Sequence, residues 1–124
     1  MSTPVAFIIE DDEHALTIFT TAIQNAQYDT VAIKDGKEAI EKLQTGVPPD
    51  LVVLDLRLPG VPGVKLLQLI RGSERLANTK VIVVSADATL TEYVREKADL
   101  VLVKPVGYSQ LREMAARLRQ EENL

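Results

Sequence analysis

The 124-residue chain has no cysteine, no tryptophan and only 4% aromatic residues. The missing thiols exclude disulfide staples, thiolate-held metals and cysteine nucleophiles, and they fit a reducing compartment, so a cytoplasmic address is expected. No staple is needed, because one domain of this length buries roughly two-thirds of its unfolded surface. No apolar run approaches the ~20 residues that span a bilayer, and the opening MSTPVAFIIEDDE turns acidic without the basic stretch of a signal peptide. A net charge of −4 lacks the basic stripe of a nucleic-acid surface, and the scarce aromatics leave little to stack on bases. Neither direct nucleic-acid binding nor membrane association is expected. The lone histidine, His14, falls on a helical stretch and is assigned a solvated role; Tyr93 and Tyr108 are assigned to packing or surface.

What the chain does have is an alternation. Five short runs rich in β-branched residues read as strands: Val5 to Ile9, Val31 to Ile33, Leu51 to Leu54, Val81 to Val84 and Leu100 to Val103. Between them lie segments of helical spacing, EHALTIFTTAIQNA, KEAIEKLQTG, VKLLQLIRG and a last one carrying Leu111, Met114, Ala115 and Leu118. Gly46 and Gly72 stand where helix C-caps belong, and Asp35, Thr89 and Ser109 at N-caps or first turns. Strands that are apolar throughout predict burial on both faces, hence a parallel sheet with right-handed crossovers and helices on either side. YDTVAI, the most polar strand, is the expected edge; Leu100 to Val103 reads as a buried strand.

The chemistry collects after the strands. Glu10, Asp11 and Asp12 follow the first, Asp55 the third, Ser85 the fourth and Lys104 the fifth. In a parallel sheet these residues emerge at one edge, the carboxyl ends, where open α/β folds bind ligands. Singly, each has a plain explanation: helix-favouring acids, a turn serine, a snorkelling lysine. Together they form complementary types at four strand ends. Carboxylates held close repel unless a hard divalent cation gathers them, and Mg2+ with retained waters leaves room for phosphoryl oxygens. A carboxylate beside such an ion can accept a phosphoryl group, with a hydroxyl and an ammonium to hold its oxygens.

These residues resemble the receiver domain of two-component response regulators. FIIEDDE is similar to the family's first acidic motif, DGKEAIEKLQTGVPPDLVVLDLRLPGVPG to its second helix, phosphoacceptor strand and following loop, and VIVVSA and VKP to its switch and lysine motifs. The resemblance covers essentially residues 1–124 and implies a single doubly wound (βα)5 domain, flavodoxin-like or CheY-like, with strand order 2-1-3-4-5. It implies Asp55 as phosphoacceptor, Asp11 as direct Mg2+ ligand, Glu10 as acidic partner through water and the Arg57 backbone carbonyl as a further ligand. Ser85 is the implied switch hydroxyl, Lys104 the phosphate-binding lysine and Pro105 a cis-proline. The implied partners are a histidine kinase or phosphotransfer protein and a downstream effector or missing output domain, with the chain a monomer or a phosphorylation-dependent homodimer. On this reading it is a switch rather than an enzyme, catalysing only its own phosphorylation and dephosphorylation.

Four features depart from the family pattern. Val101 stands where an inward-swinging Tyr or Phe is common, and the stretch from Ser85 to Lys104 is about one helical turn short, predicting a short or displaced fourth helix. A different output surface or mode of coupling is expected from both. Pro62 replaces a frequent acid before the glycine and stiffens the loop. Arg57 and Asp87, each two residues beyond a pocket residue, are expected to pair across the phosphoryl group and slow its hydrolysis. Two other functions compete: an interaction module independent of phosphorylation, favoured by Val101 and the short helix, and a magnesium phosphatase, disfavoured because Arg57 stands where a second acid is usual. No output domain is expected in RLRQEENL, which leaves a stand-alone receiver or a fragment of a longer regulator.

Overall fold

Residues 2–122 are described by the computed structural model, with side chains through residue 119; residues 1, 123 and 124 of the expected 1–124 domain lie outside them. Strands β1 (Val5–Ile9), β2 (Asp29–Ile33), β3 (Leu51–Asp55), β4 (Lys80–Ser85) and β5 (Leu100–Val103) pair in parallel in the order 2-1-3-4-5. Between and after them run α1 (Glu13–Asn25), α2 (Gly36–Gln44), α3 (Gly63–Gly72), α4 (Ala88–Val94) and α5 (Tyr108–Glu122).

Residue parity explains why the strands are apolar throughout. Ala6 and Ile8 of β1, Val53 of β3 and Ile82 and Val84 of β4 pack with Phe19, Ile23, Leu111 and Ala115 from α1 and α5. Their neighbours Phe7, Ile9, Val52, Leu54, Val81 and Val83 pack with Ala39, Leu43, Leu66, Ile70 and Val94 from α2, α3 and α4. In the middle of the sheet a strand residue therefore meets a helix whichever way it points, and each buried Leu or Ile contributes roughly 1.5–3 kcal/mol.

Both ends of the sheet differ from its middle. β2 is exposed or half-buried until Ile33, as its polar sequence predicts. β5, expected to be buried, is the opposite edge: its first three residues are half-buried and Val103 is 48% exposed. The reason is positional, since β4 is its only strand neighbour among the described residues. Helix α4 is short, seven residues prolonged by a 3-10 turn at Arg95–Lys97, in line with the short stretch that encodes it. Its N-cap is Asp87, whose Oδ1 accepts from Thr89 N and Leu90 N, so Thr89 belongs to the first turn. Asp35 caps α2 as expected, and Ser109 lies in the first turn of α5.

Candidate functional site

The strand register delivers the polar residues to one edge. Asp55 ends β3, Ser85 ends β4, and Glu10 and Lys104 directly follow β1 and β5. Backbone bonds extend the pairing past the strands: Glu10 N donates to Ile33 O at 3.0 Å and Lys104 N to Ser85 O at 2.8 Å. The Lys104–Pro105 peptide is cis, as the family resemblance implies.

Lys104 is the hub. Its Nζ donates to Glu10 Oε1 at 2.7 Å and to Asp55 Oδ2 at 3.0 Å, and lies 5.9 Å from the centre of the Phe19 ring. Phe19, on α1, is a contact that sequence reasoning did not single out; its signal is indistinguishable from that of any buried helical aromatic. The second oxygen of Asp55, Oδ1, accepts from Arg57 N at 3.0 Å, so both oxygens have a donor and the carboxylate plane is held.

Glu10 is almost fully buried, at 1% exposure, whereas Asp11 is exposed. Burial is the main cause that lifts the Glu10 carboxyl to about 7; its hydrogen bond with Asp55 adds to the rise and the Lys104 ammonium opposes it. Burial also works against the Lys104 charge, but its bonds to Glu10 and Asp55 prevail and hold the ammonium above the usual lysine range. Two acids thus share one cation, with a third acid at the rim. Asp12, by contrast, caps α1 by accepting from Ala15 N at 2.8 Å, the plain helix-favouring role.

Glu10, Asp11 and Asp55 each offer an oxygen, and these oxygens all lie within 4.8 Å of one another. The donor set fits a hard divalent cation: carboxylates only, two buried and Asp11 exposed at the rim, where waters are kept.

Ser85 is fully buried, and its Oγ accepts from Asp87 N at 3.1 Å, leaving its own hydroxyl proton to donate. The Asp87 carboxylate meets Arg57 Nη2 at 3.2 Å, so the expected pair is formed. The α4 cap at Leu90 N and then the Arg57 guanidinium hold the Asp87 carboxyl below the usual range. The pair joins the loop after β3 to the first turn of α4. Between that loop and Leu90 lies an open cleft of about 520 Å³ with Asp11, Leu58, Pro59 and Pro62 on its walls. Val101 joins the apolar cluster that contains Leu90 and Val94 of α4.

Among the described residues no helix is long and apolar enough to cross a membrane. The family model for the response regulator receiver domain matches residues 6–116. The chain is 34% identical over 119 residues to the transcriptional regulatory protein TrcR of Mycobacterium tuberculosis, covering 94% of this chain and 44% of that protein. It is 33% identical over 86 residues to the polar-differentiation response regulator DivK of Brucella ovis, covering 69% of each. It therefore spans less than half the length of TrcR and about two-thirds that of DivK. The solved receiver domain of the Francisella response regulator 1452 matches with a TM-score of 0.83 at 26% identity, covering 96% of this chain and 98% of that one. With the strand order, the two-sided helical cover and the acid and lysine edge already in place, the chain belongs to the response regulator receiver family.

Proposed function

We propose that the domain accepts a phosphoryl group on Asp55 from a phosphohistidine of a histidine kinase or phosphotransfer protein and converts that event into altered partner binding. The observation that carries this reading is the convergence of Lys104 on Glu10 and Asp55, with Asp11 in reach, at adjoining strand ends. An Asp55 oxygen attacks phosphorus, the new O–P bond forms as the P–N bond breaks, and the imidazole leaves with its electron pair and picks up a proton. Glu10, Asp11, Asp55 and the Arg57 carbonyl would hold Mg2+, which supplies charge neutralisation at the transferring oxygens.

The protein's own groups do the rest. Lys104 exchanges its carboxylate bonds for a phosphoryl oxygen, and Ser85 donates its free hydroxyl proton to another. Moving Ser85 breaks its bond from Asp87 N, which is also the N-cap residue of α4. The added charge of about −2 thereby reaches a surface element through one residue. On this reading the domain works in the cytoplasm as a switch that catalyses only its own modification, alone or joined to an output domain, as a monomer or a phosphorylation-dependent dimer.

Acetyl phosphate or beryllofluoride with magnesium tests it. Wild type should bind or become modified and Asp55→Asn should not; no response in wild type would reject phosphoacceptance. Val101, half-buried against α4 without an aromatic ring, favours a second reading, an interaction module whose partner binding ignores phosphorylation. In that case Asp55→Asn leaves partner affinity unchanged.

A further inference from the structure

We propose that Gly36, the first residue of α2, is a positioning residue for the divalent-cation site, acting through the crown of the loop that joins β3 to α3. This rests on the metal-assisted phosphoacceptor reading and adds an element remote from the acids. Gly36 is buried, and its N–H donates to Pro59 O at 3.3 Å. A Cβ on Gly36 would fall 2.6 Å from Val61 Cβ and 2.8 Å from both Val61 N and Val61 O. Two of those three atoms are backbone, so no rotamer change relieves the collision. The loop main chain rests directly on the helix start.

The helix start is itself held, because Asp35 Oδ1 accepts from Glu38 N at 2.8 Å. Pro59 O also accepts from Val61 N at 3.1 Å across Gly60, whose φ of 88° closes the crown. At the base of the same loop Gly63 N donates to Leu56 O at 3.0 Å, and a Cβ on Gly63 would lie 2.4 Å from Leu56 Cα. The base is thus clamped to β3 and the crown to α2. A displacement of the crown is shared by the two arms that run from it to the base, Gly60 to Pro62 on one side and, on the other, the arm that carries Arg57.

Arg57 is the residue whose carbonyl is read as a metal ligand, and its N–H orients Asp55 Oδ1. Mg2+ tolerates little departure from octahedral geometry, so a shift of one ligand weakens binding even when the acids stay in place. Gly36 has no side chain to touch metal or phosphate, which makes its role one of support.

The test is calorimetric Mg2+ titration of Gly36→Ala, well below its unfolding temperature, with amide NMR spectra of the metal-free protein. Binding should weaken about fivefold or more, since losing a group that orients metal ligands typically costs about 10–100-fold in affinity, with amide shifts concentrated at Arg57 and Leu58. Gly72→Ala, at a position with nothing within 4 Å, should bind as wild type does. Val61→Gly, which removes the one side-chain atom of the three that rest on Gly36 and loosens the crown beside Gly60, should also weaken binding. A folded Gly36→Ala with wild-type affinity and an unmoved Arg57 amide overturns the proposal; if that variant does not fold, wild-type affinity in Val61→Gly overturns it. Absence of Mg2+ binding in wild type would instead reject the metal-assisted reading, a result distinct from equal binding by the two.

Discussion

Lys104 Nζ sits 2.7 Å from Glu10 Oε1 although their strands, β5 and β1, are separated in the sheet by β4 and β3. The lysine stem crosses the carboxyl ends of two strands to place its charge between Glu10 and Asp55. An ammonium in that position neutralises the two acids as a bound cation would, and on the metal-assisted reading it should compete with one.

Lys104→Met keeps the apolar stem and deletes the charge. Two unit charges about 4 Å apart cost about 4 kcal/mol at an effective dielectric of 20, the divalent ion doubles that to about 8, and the flexible stem swings away to reduce it. Mg2+ affinity is therefore expected to rise about tenfold, equivalent to about 1.4 kcal/mol. Calorimetry of the variant checks this, and weaker binding would mean that Lys104 organises the acids rather than opposing the ion. In chelator the same variant should lose stability, because the buried acids lose their cation.

Glu10 sets the sign of a pH dependence. Its folded pKa, about 7, lies above the ordinary 4.5, so the folded protein holds a proton that the unfolded chain gives up. That contribution to stability is complete below pH 4.5 and is lost as pH rises through about 7. In chelator, the unfolding midpoint of wild type relative to Glu10→Gln should fall across that window. Mg2+ prefers the ionised carboxylate, so wild-type affinity should climb with pH to a plateau above 7, while Glu10→Gln shows a flatter curve. Parallel curves for the two proteins would place the titration elsewhere.

Arg57 and Asp87 meet at 3.2 Å, each two residues beyond a strand-end residue, Asp55 and Ser85. The guanidinium is 72% exposed, so the pair adds little to stability. Its expected effect is kinetic, covering the line of water attack. Arg57→Ala should shorten the lifetime of phosphorylated Asp55 severalfold, read as phosphate release after removal of the donor, with the unfolding midpoint nearly unmoved. An unchanged lifetime removes the pair from the mechanism. Asp87→Ala is the less clean variant, since it also deletes the α4 cap and the residue whose N–H holds Ser85.

Much of this was legible in the sequence for a physical reason. Strands buried on two faces must be apolar at every position, so β1, β3 and β4 declare themselves, and the residues that break the runs, Glu10, Asp55, Ser85 and Lys104, mark the site. The same rule misleads at β5. LVLV at an edge looks like LVLV in the middle, because composition records what each face requires and says nothing of whether another strand lies alongside. Asp87 rather than Thr89 caps α4, a choice decided by the extended backbone at Asp87. Gly36 reads locally as the glycine after a capping aspartate; its contact is with Val61, 25 positions further on, and one sequence carries no trace of such a pairing.

Phe19 was equally hidden, and its contact with Lys104 can be measured. The ring is 3% exposed, with the ammonium 5.9 Å from its centre. A partly desolvated cation over an aromatic face gains about 0.5–2 kcal/mol from the ring quadrupole, and the ring also fills core volume. Phe19→Leu alone confounds the two effects, since the smaller side chain leaves space in the core. A double-mutant cycle with Lys104→Met separates them: lost volume costs the same with or without the ammonium, whereas the ring's hold on the charge vanishes once the charge is gone. The cycle should give a coupling of about 0.5–1 kcal/mol in urea unfolding with chelator present. Zero coupling would reduce Phe19 to packing and leave Glu10 and Asp55 as the groups that hold Lys104 in the site.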